Sequence, residues 1–318
     1  MTGGAGFIGS RIGRALVGRR DDVTVLDDLS GGSREAVPTG ARLIEASVAD
    51  SSVIRVVAGV RAELVIHAAA QVSVLRSLDA PEGDWLVNVD GTRHVVEGAR
   101  AGGARRFVFL SSGGAIYGDS DGAAESSPPA PKSPYGRSKL AAESIVTTSR
   151  LDHGIARLAN VYGPRQRSDL EGGVVAILTD RLLDGLPVEI HGSGRHTRDL
   201  VHVDDVVNAV LEICGARATG TWNVGTGQAT SVLDLLHRLE RLIGTTAHVE
   251  WRPARPGDIT SSRLSIERIG RELGWHPRWE LDAGLRAMLD EMAVADAREP
   301  GLVRSASASP DGQPAAAS

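Results

Sequence analysis

Two spacings of apolar residues alternate along the first half of the chain. Short apolar or β-branched runs at 23–26, 42–45, 64–67 and 107–110 read as strands. Between the last two, Trp85, Val89, Val95 and Val96 recur at roughly helical spacing across 84–101. A further amphipathic stretch covers 11–19, and a helix is predicted from Tyr135 to about Ser149. Later strand and helix segments are expected through 155–161, 174–184 and 206–214. This alternation predicts an α/β fold: a doubly wound parallel sheet with helices on both faces, binding ligands beyond the carboxyl ends of its strands. The segment 119–134, rich in Ser, Pro, Gly and Asp, reads as a surface loop on that side.

Beyond about residue 165 the rhythm breaks into glycine and arginine clusters. The expected organisation is a nucleotide-binding domain over 1–165, rejoined by segments around 196–228. A smaller C-terminal substrate-binding lobe is expected from 166–195 and 229–292. From Ala293 the text turns to Ala, Ser, Gly and Pro, so 293–318 is expected to be a disordered tail.

Composition narrows the function classes. Hydrophobic residues make up 42% and charged residues 24% of 318, and the formal net charge is −5. No basic footprint for nucleic acid or for a membrane surface follows from that. No apolar run reaches about 18 residues, so a cytoplasmic location is expected. The single cysteine, Cys214, excludes a disulfide framework and reads as a small buried residue.

The chemistry starts at the first ten residues, Met-Thr-Gly-Gly-Ala-Gly-Phe-Ile-Gly-Ser. Gly3, Gly6 and Gly9 at this spacing let a backbone turn tightly and approach a pyrophosphate. They also start a helix whose N-terminal N–H groups receive the phosphates. Asp27 follows a β-branched run, about where a ribose-binding acid belongs. Ala68, Ala69 and Ala70 are small enough for a dinucleotide to lie against the sheet edge. Only Met1 and Thr2 precede the turn, where a central strand belongs, so the natural chain is expected to start several residues upstream.

A second constellation follows the fourth strand. Ser111 and Ser112 stand at its end, and Tyr135 and Lys139 lie at i and i+4 on one helical face. A phenol has an unperturbed pKa near ~10, and a neighbouring ammonium favours its phenolate. Either serine hydroxyl can bond the same substrate oxygen, with Ser112 favoured. Only three tyrosines occur, Tyr117, Tyr135 and Tyr162, and each sits in a motif-like segment.

Together these pieces resemble the extended short-chain dehydrogenase/reductases, and among them the NAD-dependent nucleotide-sugar epimerase/dehydratase family, of which UDP-glucose 4-epimerase is typical. The resemblance covers about residues 1–290. Its matching segments are 2–9, Asp27, 67–70, 88–92, 111–118, 135–139, 160–166, 197–205, 223–227 and 255–258. It implies a Rossmann-type fold, NAD as cofactor, no metal, a UDP-sugar substrate and a homodimer packed through the helices at 84–101 and 135–149. Gly3, Gly6, Phe7, Ile8 and Gly9 would hold the pyrophosphate and Asp27 the adenosine ribose, which favours NAD over NADP. Ser47 and Val48 would lie at the adenine, and Ala68, Ala69, Ala70, Gln71, Asn88 and Ser111 would line the cofactor. Lys139 would also bond the nicotinamide ribose. On the substrate side the resemblance implies Ser112, Asn160, Arg167, Val174, Arg198, Arg255, Asp258 and Ser262. Arg198 and Arg255 would be diphosphate clamps, Asp258 a nucleoside-ribose contact and Ser262 the wall of a roomy sugar pocket.

Departures from the family shape the expected activity. Family members often carry an acid where Ser47 stands, so the adenine is expected to rely on backbone groups. Dehydratases place Asp-Glu where this chain has Gly113, Gly114 and Ala115, which cannot move that proton. The leading expectation is 4-epimerisation of a UDP-hexose, glucose/galactose or N-acetylated, through a 4-keto intermediate. A UDP-glucuronate 4-epimerase is kept open by Arg167, although such enzymes tend to carry Thr at the position of Asn160. The other rivals are an NDP-4-keto-sugar reductase and a non-catalytic dinucleotide-binding regulator, which usually loses the Tyr–Lys pair.

Overall fold

Residues 1–171, 173–254 and 258–298 are described in the structure, a computed structural model. The amino-terminal elements are α1 (Phe7–Gly18), β1 (Thr24–Asp27), β2 (Arg42–Glu45), α2 (Val53–Val60), β3 (Leu64–His67), α3 (Val74–Asp79) and α4 (Pro81–Trp85). A wide-turn segment, Leu86–Asp90, leads into α5 (Gly91–Ala101). Then come β4 (Arg106–Ser112), α6 (Gly113–Tyr117), β5 (Ser120–Ala123), α7 (Pro134–Thr148), β6 (Asp152–Leu158) and β7 (Asn160–Tyr162). The second half runs through α8 (Ser168–Glu171), α9 (Val174–Leu183), β8 (Val188–His191), β9 (Thr197–Arg198), β10 (Leu200–His202) and α10 (Val203–Gly215). It ends with β11 (Gly220–Val224), β12 (Thr230–Ser231), α11 (Val232–Ile243), β13 (Val249–Arg252), β14 (Ser261–Leu264), α12 (Glu267–Leu273) and α13 (Leu281–Arg298).

The main sheet is parallel. β3, β4, β6 and β11 pair side by side, and β1 pairs with β2. Thr2 joins the two groups as a one-residue bridge to Leu26 and to His67. Its N–H donates to the Ile66 carbonyl at 2.9 Å, and the Gly3 N–H donates to the Leu26 carbonyl at 2.9 Å. The order across the sheet is therefore β2, β1, Thr2, β3, β4, β6, β11.

Both faces are covered. On one, Ile12 and Leu16 of α1 and Val206, Val210 and Ile213 of α10 pack on Val25, Ile66, Val108 and Trp222. On the other, Val53 and Val57 of α2, Val95 and Val96 of α5, and Ala142 and Val146 of α7 pack on Val65, Phe107, Phe109 and Ile155. Each Val, Leu, Ile or Phe among them contributes about 1.5–3 kcal/mol when fully buried. Burial on both faces is why these strands read as near-continuous apolar runs.

A second core gathers Leu178 and Leu182 of α9, Ile190 of β8, Leu235, Leu236 and Leu239 of α11, and Leu285 and Met288 of α13. Three details differ from expectation. The first helix begins at Phe7, because Gly6 caps it directly after the turn. The 119–134 loop contains β5, whose polar text gives no strand signal and which forms by pairing with distant β14. α13 continues past Ala293 to Arg298. Alanine-rich text favours helix, and Met292 packs against the second core. Residues 299–318 of the expected tail lie outside the described residues.

His67 closes the end of β3 beneath the glycine turn. Its Nδ1 lies 2.7 Å from Thr2 Oγ1 and its Nε2 3.0 Å from Thr92 Oγ1. Thr92 spends its own hydrogen on the Asn88 carbonyl at 2.6 Å, so Nε2 donates to Thr92 and Nδ1 accepts from Thr2. Full burial, with the Lys139 ammonium nearby, pulls the imidazole pKa from 6.5 to about 3. Between those values the unfolded chain binds a proton that the folded chain refuses, so stability falls as pH drops through this window. Lowering the pH from about 7 to about 5 is expected to remove about 2 kcal/mol of stability through His67. Urea denaturation at both pH values checks this, and His67→Asn should lose correspondingly less. An equal loss in the variant would assign the pH dependence elsewhere.

Candidate active site

The carboxyl ends of the main strands open into one cavity of about 600 Å³. Its first wall is the amino-terminal turn. Gly3 has φ +69, and a Cβ there would lie 2.5 Å from the Ala69 nitrogen. At Gly9 a Cβ would lie 2.0 Å from the Gly3 carbonyl oxygen. Only glycine lets the turn close on the sheet at both places. Gly6 caps α1 with no side-chain hydrogen bond, which leaves the first N–H groups of the helix to an anion.

The acid sits where the spacing places it. Asp27 accepts from the Ala5 N–H and the Leu29 N–H, both at 2.9 Å. Burial raises its pKa, and those two N–H groups hold the rise back. Asp28, also on the cavity wall, accepts from the hydroxyls of Ser30 and Ser47. Burial works against its charge, but these bonds outweigh it and lower its pKa. Two carboxylates at this end disfavour an extra phosphate on the ribose. Glycine turn, helix terminus and acid together fit a dinucleotide.

The second wall carries the phenol. Ser133 Oγ caps α7 by accepting from the Gly136 N–H at 3.1 Å, and Pro134 starts the helix. Tyr135 and Lys139 both line the cavity. The Lys139 ammonium donates to the Leu110 carbonyl at 2.7 Å and lies 4.2 Å from the centre of the Phe109 ring. Burial draws its pKa down to about 8, against the pull of Glu143 and Asp84.

The two serines separate here. Ser111 donates to Glu143 at 2.6 Å, and Glu143 takes a two-pronged bond from Arg157. Arg157 donates to the Tyr117 oxygen at 2.7 Å, and Tyr117 donates to Asn223 at 3.0 Å. The Ser112 hydroxyl makes no hydrogen bond among the described residues and lines the cavity beside Tyr135 and Lys139. Ser111 also lines the cavity, but its hydroxyl is spent on the frame, whereas the Ser112 hydroxyl is not.

Asn160, Arg198, Asp258 and Ser262 line the far end of the same cavity. A Cβ on Gly114 would lie 3.0 Å from Ser262 Oγ and 3.7 Å from Asn160 Oδ1, so these three residues converge. Arg198 donates from Nη1 to the Thr197 and Ile259 carbonyls, both at 2.8 Å.

Several residues singled out in the sequence lie elsewhere. Asn88 is buried and exchanges hydrogen bonds with the backbone of Gln71, while the Gln71 side chain binds Asp84 and the Ser73 carbonyl. Both brace the wall from behind. Ser47 reaches Asp28, and its neighbours Ala46 and Val48 line the cavity. Arg167 is exposed and ion-paired with Asp169 at 2.6 Å, away from the cavity wall. Val174 packs against the second core, and Gly173 and Ile177 line the cavity in its place. Arg255 lies outside the described residues.

The frame residues Glu143 and Arg157 escaped the sequence reading, although signals existed. Glu143 stands one turn after Lys139, and Arg157 interrupts the apolar run 155–158.

The comparisons with known proteins agree with this geometry. The model of the NAD dependent epimerase/dehydratase family matches residues 1–225. The chain belongs to that family. It is 39% identical over 297 residues to a UDP-glucose 4-epimerase of Mycolicibacterium smegmatis, covering 90% of this chain and 95% of that protein. A UDP-glucose 4-epimerase of Thermotoga maritima, solved with UDP-glucose, superposes with a TM-score of 0.89 at 37% identity, covering 92% of this chain and 98% of that one. The Thermus thermophilus UDP-glucose 4-epimerase in complex with NAD gives 0.88 at 38% identity, with the same coverage.

The buried Glu143–Arg157 pair yields a direct test. Removing the carboxylate leaves a guanidinium buried without its partner, which costs about 3–5 kcal/mol. Glu143→Ala is expected to lose that much in urea denaturation. A loss below about 1 kcal/mol, the range of an exposed pair, would show that Arg157 is satisfied in another way.

Proposed function

We propose that the chain is an NAD-dependent UDP-hexose 4-epimerase. One observation carries this: the glycine turn with Asp27, the Ser112–Tyr135–Lys139 group and the Asn160–Arg198–Ser262 end all line a single cavity. When bound, NAD supplies reversible oxidation at the sugar C4. Gly3, Gly6, Gly9 and the α1 terminus hold its pyrophosphate, and Asp27 holds the adenosine ribose.

Tyr135, as phenolate, takes the proton of the sugar 4-hydroxyl and later returns it. The Lys139 ammonium favours that phenolate, and the Ser112 hydroxyl donates to the same sugar oxygen. Arg198, with Arg255, clamps the diphosphate through charge-assisted bonds. Holding the nucleotide firmly and the hexose loosely lets the 4-keto sugar turn before it is reduced on its other face. Ser262 is small and leaves space for an N-acetyl group. Arg167, which keeps an acidic sugar open in the sequence, stands off the cavity wall, so a neutral hexose is the better reading.

A homodimer packed through the helices at 84–101 and 135–149 belongs to the same proposal, and the exposed Trp85 and Leu86 support it. So does a cytoplasmic location; among the described residues no helix is long and apolar enough to cross a membrane.

The test is proton NMR of purified protein without added cofactor, incubated separately with UDP-galactose, UDP-N-acetylgalactosamine and UDP-galacturonate. A new anomeric signal of the 4-epimer is expected with the first, and Tyr135→Phe should slow its appearance by at least about 10²-fold. Silence in all three tubes, repeated with NAD added, would contradict the proposal.

A further inference from the structure

Asp119 stands just after α6, behind the cavity-lining Lys132, and its two carboxylate oxygens have different work. Oδ2 accepts from the Lys132 ammonium. Oδ1 accepts from the Thr260 N–H at 2.6 Å and from the Thr260 hydroxyl at 3.0 Å. The Thr260 N–H shares a peptide plane with the Ile259 carbonyl, and that carbonyl accepts from Arg198 Nη1 at 2.8 Å. An unbroken chain of hydrogen bonds thus runs from Lys132 through Asp119 and one peptide group to Arg198. Lys132 and Arg198, its two cationic ends, both line the cavity.

The order of groups in this chain matters. A carboxylate accepting from a peptide N–H polarises the amide and makes its carbonyl a stronger acceptor. The Ile259 carbonyl therefore grips the guanidinium more firmly while Asp119 is charged. Desolvation opposes that charge, yet the bonds from Lys132 and Thr260 outweigh it and hold the carboxyl pKa at about 2. Arg198 spends only Nη1 on the protein: among the described residues neither its Nη2 nor its Nε makes a hydrogen bond. A fixed Nη1 leaves those donors aimed as a unit, and a guanidinium fork binds an oxyanion well only when its plane is held.

We propose that Asp119 is a positioning residue for substrate: through the 259–260 peptide it fixes Arg198 for the diphosphate of the UDP-sugar. This rests on the assignment of Arg198 as a diphosphate clamp. Asp119 itself does not line the cavity, so it acts on nucleotide affinity and leaves NAD retention unaltered.

The experiment is calorimetric titration of UDP into the NAD-loaded protein for the native chain, Asp119→Ala, Arg198→Ala and the double variant. Asp119→Asn is carried in parallel, since it keeps an acceptor for Thr260 without the charge. Asp119→Ala is expected to weaken UDP about tenfold, the size of one charge-assisted hydrogen bond, with bound NAD unchanged. Asp119→Asn should fall between it and the native chain. In the Arg198→Ala background, removing Asp119 should weaken UDP no further, because its effect runs through that arginine. An undiminished second loss in the double variant, or a loss of bound NAD in either Asp119 variant, would overturn the proposal in favour of a general structural role. Unchanged UDP affinity in both Asp119 variants, with Arg198→Ala still weakened, would overturn it while leaving the clamp intact. Unchanged affinity in Arg198→Ala would remove the clamp assignment as well.

Discussion

Lys139 carries its positive charge into a site that is 3% exposed. There the Leu110 carbonyl accepts its hydrogen bond and the face of Phe109 lies beneath it. Taking an ammonium out of water costs several kcal/mol, so the surrounding structure must hold its few compensating groups in place. Glu143, one turn further along α7, ties that helix to the end of β4 through Ser111 and to β6 through Arg157. Arg157 extends the tie to Tyr117 and thereby to Asn223 on β11. His67 stacks near the same Phe109 ring and stays neutral because it is buried. A protonated imidazole there would repel the ammonium.

The same frame gives the site its asymmetry. At the nucleotide end the chain approaches so closely that Gly3 and Gly9 admit no Cβ, and Asp27 is fixed by two backbone N–H groups. At the other end short side chains, Ser112, Gly114 and Ser262, face the cavity beside Asn160, and Arg198 and Asp258 line the same end. A rigid cradle for the dinucleotide, joined to a sparsely furnished pocket, suits a reaction in which the cofactor stays and the sugar turns.

Much of this was legible in the sequence because local spacing encodes it. The Gly3–Gly9 turn, Asp27, Tyr135 with Lys139, and the apolar runs of β1 to β4 each fall within a few residues and obey a single period. What was not legible depends on partners far apart in the chain. β5 is a strand only because β14 pairs with it, and Gln71 and Asn88 turn towards each other because the loop after β3 must be braced. Arg167 is the local exception: it pairs with Asp169 two residues on, an option that family resemblance alone does not weigh. The choice between Ser111 and Ser112 was also tertiary, since it turns on Glu143 from another element.

Oxidation and reduction at one carbon within one cavity leave a signature that an isotope label reads directly. UDP-galactose deuterated at C4 would be incubated with the protein in ordinary water, without added reductant. The label is predicted to remain at C4 of the product UDP-glucose. Deuterium washed out into water, or a 4-keto sugar accumulating in place of the epimer, would contradict the epimerase reading.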